Sequence, residues 1–463
     1  MTDQFPVSRR TVLGGAMAGA AAIGLTPGGA SASRARSRSS SPNSRGPGTL
    51  PDPSAPEGSD QLPQITNIVA LMMENHTYDS LLGMLPPGRG DGYTRDASGQ
   101  PTNSNPWPRR SSKGPAPYRH AVINVFPMPT PCQEQAHPYN TWGAGQESYH
   151  HGKMDGFVKS KSGPVSMGYY DQTLMPFINS LAMTFPICDR YFSSVMAQTY
   201  PNRRFAMAGT ALGLLVDKLS QGTPPNGTIF ESLNAHGISW KNYYSSLPSV
   251  LIYSYLFGVP NIRPNLVNIS EFFTDAANGT LPAYSVVDPN FGTQSEEDPQ
   301  DVQYGDQFMS QVINAVMNSP QWPGTLLVWT YDEGGGYYDH VPPPAAVSPD
   351  SVTSVPYRPG AFSRYGFRVP AGVVSPFARP DYVSSVVQDH TSILKLVETK
   401  WNLPALTYRD ANAANLLDSI DLVNPPAFLT PPTLAAPPDP ASDDGCQTTG
   451  SGTIPPPSAI RKA

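Results

Sequence analysis

Two apolar runs in this chain show no alternation with polar positions. Ile65-Thr66-Asn67-Ile68-Val69-Ala70-Leu71-Met72-Met73 is apolar at nearly every step and breaks off in Glu74-Asn75-His76. Thr325-Leu326-Leu327-Val328-Trp329-Thr330-Tyr331 has the same form and breaks off in Asp332-Glu333 and the glycines 334–336. A strand with one wet face alternates, whereas a strand covered on both faces does not. Both runs are therefore predicted as interior strands of an α/β sheet. Open parallel sheets hold ligands beyond the carboxyl ends of their strands, which is where these polar residues fall. The triple glycine lets the backbone turn sharply and approach a ligand closely.

A third segment reads as the start of a helix. Pro201 in Gln198-Thr199-Tyr200-Pro201-Asn202-Arg203 suits a first turn, which puts Thr199 beside a helix N-terminus. Free N–H groups and the helix dipole at that place favour an anion such as phosphate. Thr199 reads either as a simple cap or as a nucleophile made more acidic by a metal. Glu74, Asn75, Asp332 and Glu333 read either as strand-end polar caps or as oxygen donors. Burying such carboxylates without a counter-charge is costly, so the second reading calls for a hard divalent cation: Ca²⁺, Mg²⁺ or Mn²⁺. Among the histidines, His340 has the strongest case, a few residues beyond Asp332-Glu333 in Asp339-His340-Val341. His137, His150 and His151 fall in a Gly/Trp/Tyr-rich stretch, and His390 in Asp389-His390-Thr391-Ser392. The chain has no G-x-S-x-G, H-E-x-x-H, P-loop or EF-hand string.

Composition narrows the class. With 40 Gly, 53 Pro and only 14% charged residues, the chain is neither a coiled coil nor a solvating acidic chain. No apolar stretch is long enough to cross a bilayer. The net charge of -6 conceals six Arg in the first fifty residues, so the rest of the chain holds the whole acidic excess and a nucleic-acid partner is excluded. Residues 1–32 read as an export signal. Arg9-Arg10 precedes a weakly apolar run, and Ala30-Ser31-Ala32 is a small-residue cleavage site. The Arg pair resembles an address for the twin-arginine export machinery, which implies a secreted or cell-wall-associated protein. Residues 33–62 read as a disordered linker, 63–424 as one catalytic domain, and 425–463 as a Pro-rich disordered tail. Cys132, Cys188 and Cys446 allow at most one intrachain disulfide, with the pairing open.

Together these strings resemble the bacterial phosphoesterase family that includes non-specific phospholipases C and certain acid phosphatases. Its E-N-R-S-F-D motif stands here as Glu74-Asn75-His76-Thr77-Tyr78-Asp79, with His76 in place of Arg. Its T-x-P-N-R motif is Thr199 to Arg203, and its D-E-x-x-G-x-x-D-H-V motif is Asp332 to Val341. Gly366-Phe367-Arg368-Val369-Pro370 through Ser375-Pro376, Gly152-Lys153-Met154-Asp155-Gly156-Phe157 and Asp389-His390-Thr391-Ser392 also match. The resemblance implies an alkaline-phosphatase-like α/β/α sandwich with a mostly parallel central sheet and long loop insertions. It also implies metal ligation by Glu74, Asn75, Thr199, Asp332 and Glu333, and a phosphothreonine intermediate on Thr199. It makes His340 or His137 the proton donor, and Arg203, His390 and Lys153 the substrate-binding residues. The substrate expected is a phospholipid or, as runner-up, a small phosphomonoester cleaved by an acid phosphatase. A non-catalytic cell-wall-binding protein is the reading of another class. The aromatic stretches 240–244 and 253–257 are either a lipid-facing rim or core packing.

Overall fold

The two apolar runs lie side by side in the middle of one eight-stranded sheet. In the computed structural model, residues 45–107, 121–132, 138–220, 222–440, 446 and 456–462 are described. The export signal and the first part of the expected linker lie outside them, as does His137. The strands are β1 (Asn67–Met73), β2 (Ile187–Cys188), β3 (Trp240–Tyr244), β4 (Leu266–Asn268), β5 (Tyr284–Asp288), β6 (Thr325–Tyr331), β7 (Ala371–Val374) and β8 (Val383–Ser384). Their order is β8-β2-β7-β6-β1-β5-β3-β4. β1 pairs with β6 in parallel, from Asn67 opposite Thr325 to Met73 opposite Tyr331. β5, β3 and β4 continue in parallel on one side, while β7 runs antiparallel to both β6 and β2. Every residue of β1 and β6 is buried, as the lack of alternation requires. This is the expected α/β architecture with a mixed, mostly parallel sheet.

Helices cover both faces. α1 (Tyr78–Leu82), α2 (Pro176–Thr184), α3 (Thr199–Ala208), α4 (Val302–Met317) and α5 (Thr391–Trp401) are the ones that bear on the site. Ala70 and Met72 of β1 share an apolar cavity with Met207 of α3 and Ile393 of α5. Tyr331, level with Met73 and so on the opposite face, points its hydroxyl at Met309 of α4. Because β1 and β6 are parallel and in register, their chains leave the sheet at the same end. That alone brings Glu74-Asn75 beside Asp332-Glu333.

The boundaries differ from those read in the sequence. From Arg45 the expected linker packs on the body: Asn402 Nδ2 donates to Asp52 O and Ala55 O, and Lys400 pairs with Asp60. Part of the expected disordered tail is fixed as well. Trp322 Nε1 donates to Phe428 O, and Ile460–Lys462 pairs antiparallel with Ala121–Asn124. The disulfide joins Cys132 to Cys446 across 314 residues, and Cys188 is a buried free thiol in β2. Proline-rich sequence lacks apolar periodicity, but it can lie extended along a surface and be held by scattered backbone hydrogen bonds. The aromatic stretches are mostly packing: Trp240, Tyr243, Tyr253 and Leu256 are buried in the main core, while Phe257 is exposed. Among the described residues no helix is long and apolar enough to cross a membrane.

Candidate active site

Immediately beyond β1, Asn75 adopts φ 69°, a left-handed conformation that asparagine tolerates better than most residues. The loop after β6 closes against it. A Cβ on Gly335 would stand 2.0 Å from Asn75 O, so only glycine allows the two strand-end loops to interlock. Asp332 Oδ1 then accepts from the Asn75 N–H at 3.2 Å and the Glu333 N–H at 2.7 Å. Glu333 is held by Asn140 Nδ2 at 2.6 Å and by the Gly335 N–H at 2.8 Å. The backbone turn that follows each strand thus aims each carboxylate.

Thr199 is the first residue of α3, with no side-chain cap from Gln198. Its Oγ1 lies 3.4 Å from Asn75 Oδ1, and the hydroxyl also faces Asp332. Three separate segments therefore bring Thr199, Asn75 and Asp332 together. The helix N-terminus itself is less open than expected. The Tyr200 N–H donates to Asp217 Oδ1 at 2.8 Å, and Pro201 has no N–H to offer. A small cleft reaches Ala197, two residues before Thr199, and is lined by Tyr139, Asn140, Ser193, Met196, Glu333 and Phe367, among others.

Arg203, expected to bind substrate, faces the strand-end carboxylates. It is buried, with Nε 3.1 Å from Asp332 Oδ2, Nη2 bonded to Met72 O and Met73 O, and weaker approaches to Glu74 at 3.9 Å and Asp288 at 3.6 Å. One guanidinium thus faces carboxylates from the ends of three adjacent strands, β5, β1 and β6. His390, also expected to bind substrate, is fully buried behind Asp332. Its Nε2 is 2.6 Å from the Asp332 carbonyl oxygen, and burial pushes its pKa down to about 4, so it sits there as a neutral donor. Both residues bond to Asp332, Arg203 to its carboxylate and His390 to its carbonyl oxygen. Lys153 is exposed in the turn after helix 142–149.

Charge balance tests whether a cation belongs here. Glu74, Asp288, Asp332 and Glu333 are all buried, and among the described residues Arg203 is the one cation paired with any of them. Burial, then the charges of Glu297 and Asp332, push Glu74 well above the usual carboxylate range, and Glu74 Oε2 has no hydrogen-bond partner. Burial, then Asp332, does the same to Glu333. Hard oxygen donors carrying uncompensated buried charge fit a divalent cation. The donors are not drawn together: Glu74, Asp332 and Glu333 do not bring three oxygens within 4.8 Å of one another. Arg203 reaches both Glu74 and Asp332.

His340 has a different setting from the one expected of a proton donor to the reacting group. Its Nδ1 is 2.7 Å from Asp79 and its Nε2 is 3.4 Å from Asp91, with Arg368 bridging Asp79 and Asp339. Burial pushes its pKa down, but the charge and hydrogen bond of Asp79, then Asp339, outweigh that and hold it above 6.5. Such a group stabilises the fold fully below pH 6.5 and loses that contribution as pH rises through its raised value. His340→Asn is expected to flatten the decline of stability above pH 6.5, read from urea midpoints between pH 5 and 9. Parallel curves for the two proteins would refute the assignment. His76, in the place of the family's arginine, is buried against Tyr337 at 4.8 Å between ring centroids. Burial lowers its pKa to about 3, so a neutral ring has replaced a charge.

Asp288, Asn140 and Asp217 are site residues that the sequence reading missed. Asp288 had a signal, since Tyr284-Ser285-Val286-Val287-Asp288 also ends a strand in a carboxylate. Asn140 and Asp217 lie in loops without periodicity.

The phosphoesterase family matches residues 65–404. Non-specific phospholipase C6 of Arabidopsis thaliana is 32% identical over 397 residues, covering 80% of this chain and 75% of that protein. Phospholipase C B of Mycobacterium tuberculosis is 29% identical over 415 residues, covering 79% of each. Among solved structures, a Vibrio parahaemolyticus protein of the alkaline phosphatase superfamily aligns with TM-score 0.37 and 10% identity over 63% of this chain and 72% of that one.

Proposed function

Because the chain belongs to the phosphoesterase family and is a phospholipase C-type hydrolase of phosphoric ester bonds, we propose that it cleaves phospholipids through a phosphothreonine on Thr199. The observation that carries this reading is the meeting of Thr199 Oγ1, Asn75 and Asp332 at the ends of β1 and β6. Glu74, Asn75, Thr199, Asp332 and Glu333 would hold a divalent cation there, which would supply positive charge against the phosphoryl oxygens and ease loss of the Thr199 proton. Thr199 Oγ attacks phosphorus, and the bond from phosphorus to the glycerol oxygen breaks. Diacylglycerol leaves after taking up a proton, and the phosphorylated head group stays on Thr199. Water then attacks phosphorus and frees the threonine. Arg203 and His390 keep Asp332 in place throughout. The leaving oxygen's proton is proposed to come from His137 or His340, of which His340 is already engaged by Asp79.

We also propose export by the twin-arginine route, to a secreted or cell-wall location. Arg9-Arg10 motivates it, and the Cys132–Cys446 disulfide suits an oxidising compartment. Activity on phosphatidylcholine and on p-nitrophenyl phosphate, after chelation and with Ca²⁺ or Mn²⁺ restored, tests the main reading. Diacylglycerol release that stops on chelation and returns with one ion is expected. Cleavage of p-nitrophenyl phosphate alone would make the protein a phosphatase, and cleavage of neither would make it a binding protein.

A further inference from the structure

Two segments that catalysis does not use run side by side next to Thr199. The Val355 N–H donates to Gly213 O at 2.6 Å and the Leu215 N–H to Val355 O at 3.2 Å. The first segment continues to Asp217, whose Oδ1 takes the Tyr200 N–H one residue from the nucleophile. The second continues to Arg358, whose guanidinium lies 5.6 Å from the ring centre of Trp142. Trp142 begins the helix whose Gly145 and Ser148 line the cleft at Glu333. The paired segments are thus pinned to the site from two sides.

Their inner residues, Ala211, Leu215, Ala361 and Phe362, form a small core of their own with Val195, Ala197 and Phe205. Their outer residues are apolar too. Val216, Leu219, Val352, Val355 and Tyr357 are 38 to 67% exposed. Single exposed apolar side chains are ordinary, but five on two paired segments form a patch with no internal use. Lys218 and Arg358 are exposed among them, and neither makes an ion pair among the described residues. The segments' acids turn elsewhere, Asp217 to the Tyr200 N–H and Asp350 to the Thr210 hydroxyl. Apolar tips among unpaired cations match the headgroup boundary of a bilayer, where lipid phosphates meet acyl chains. The same cations would repel each other if a second copy of the patch were laid on it.

We propose that segments 213–219 and 352–357 are the surface on which the enzyme sits on a phospholipid bilayer, holding the cleft at Glu333 against the lipid. This rests on the phospholipase reading. The test uses the full exported chain and two variants, Leu219→Ser/Val355→Ser/Tyr357→Ser and Lys218→Glu/Arg358→Glu. Co-sedimentation with phosphatidylcholine vesicles containing a minor share of phosphatidylglycerol is measured beside hydrolysis of soluble p-nitrophenylphosphorylcholine. The serine variant is expected to lose vesicle binding by about tenfold or more at unchanged soluble activity. The glutamate variant is expected to lose binding in proportion to the phosphatidylglycerol content. Unchanged vesicle binding in both variants would overturn the proposal, as would a wild-type dimer that the serine variant dissolves without affecting vesicles. If the wild type binds vesicles through the patch yet releases no diacylglycerol, the phospholipase reading fails and the surface stands.

Discussion

Thr199→Ala is expected to reduce turnover by about 10⁴-fold or more, with folding and divalent-ion binding nearly intact. The hydroxyl supplies the attacking oxygen of the first step in the proposed mechanism. Four of the five proposed donors, Glu74, Asn75, Asp332 and Glu333, survive the substitution. Asp332 keeps its bonds to the Asn75 and Glu333 N–H groups, and Glu333 keeps Asn140 and Gly335. Thr199→Ser should retain much of the rate, because it preserves Oγ at the first position of α3. Two measurements check this: the burst of released alcohol before steady state, and ion binding followed by the shift in thermal midpoint. A Thr199→Ala protein that still turns over at more than a few per cent of wild type would remove Thr199 from the mechanism. Loss of ion binding with loss of activity would make Thr199 chiefly a ligand.

How much of this site was legible beforehand depended on which physical constraint each residue obeys. Glu74, Asn75, Asp332 and Glu333 follow apolar runs with no wet face, and two such strands lying parallel must release their polar ends together. Pro201 marked the start of α3 and so the place of Thr199. Arg203 and His390 were expected at the substrate through the family resemblance, yet both are buried against Asp332. Sequence gives no measure of the buried negative charge that such groups answer. The same blindness hid Arg368, which joins Asp79 and Asp339 from a motif noted only for its string. The Cys132–Cys446 bond was illegible for another reason: its partner lies 314 residues away in a segment without periodicity.

The buried charge leads to the second large effect. Arg203→Met should destabilise the ion-free protein by about 3–5 kcal/mol, the usual consequence of removing one partner from a buried ionic group. Methionine keeps most of the side chain's length and its contact with Phe291, over whose ring the guanidinium now lies at 4.8 Å. What it removes is, among the described residues, the only cation paired with Glu74, Asp288 and Asp332. The carbonyls of Met72 and Met73 lose a donor as well. Some of the cost is recovered by protonation, since burial already raises Glu74, Asp288 and Asp332, so the loss should be larger at pH 8 than at pH 5. A divalent ion at the same carboxylates would replace part of the missing charge and stabilise the native state by mass action. Saturating Ca²⁺ or Mn²⁺ should therefore raise the melting midpoint more in Arg203→Met than in wild type. Calorimetric scans with and without the ion, at both pH values, measure both parts. If the ion shifts the two proteins equally, Arg203 and the cation do not share these carboxylates. If the variant is as stable as wild type at pH 8, the buried acids are neutral whether or not Arg203 is there.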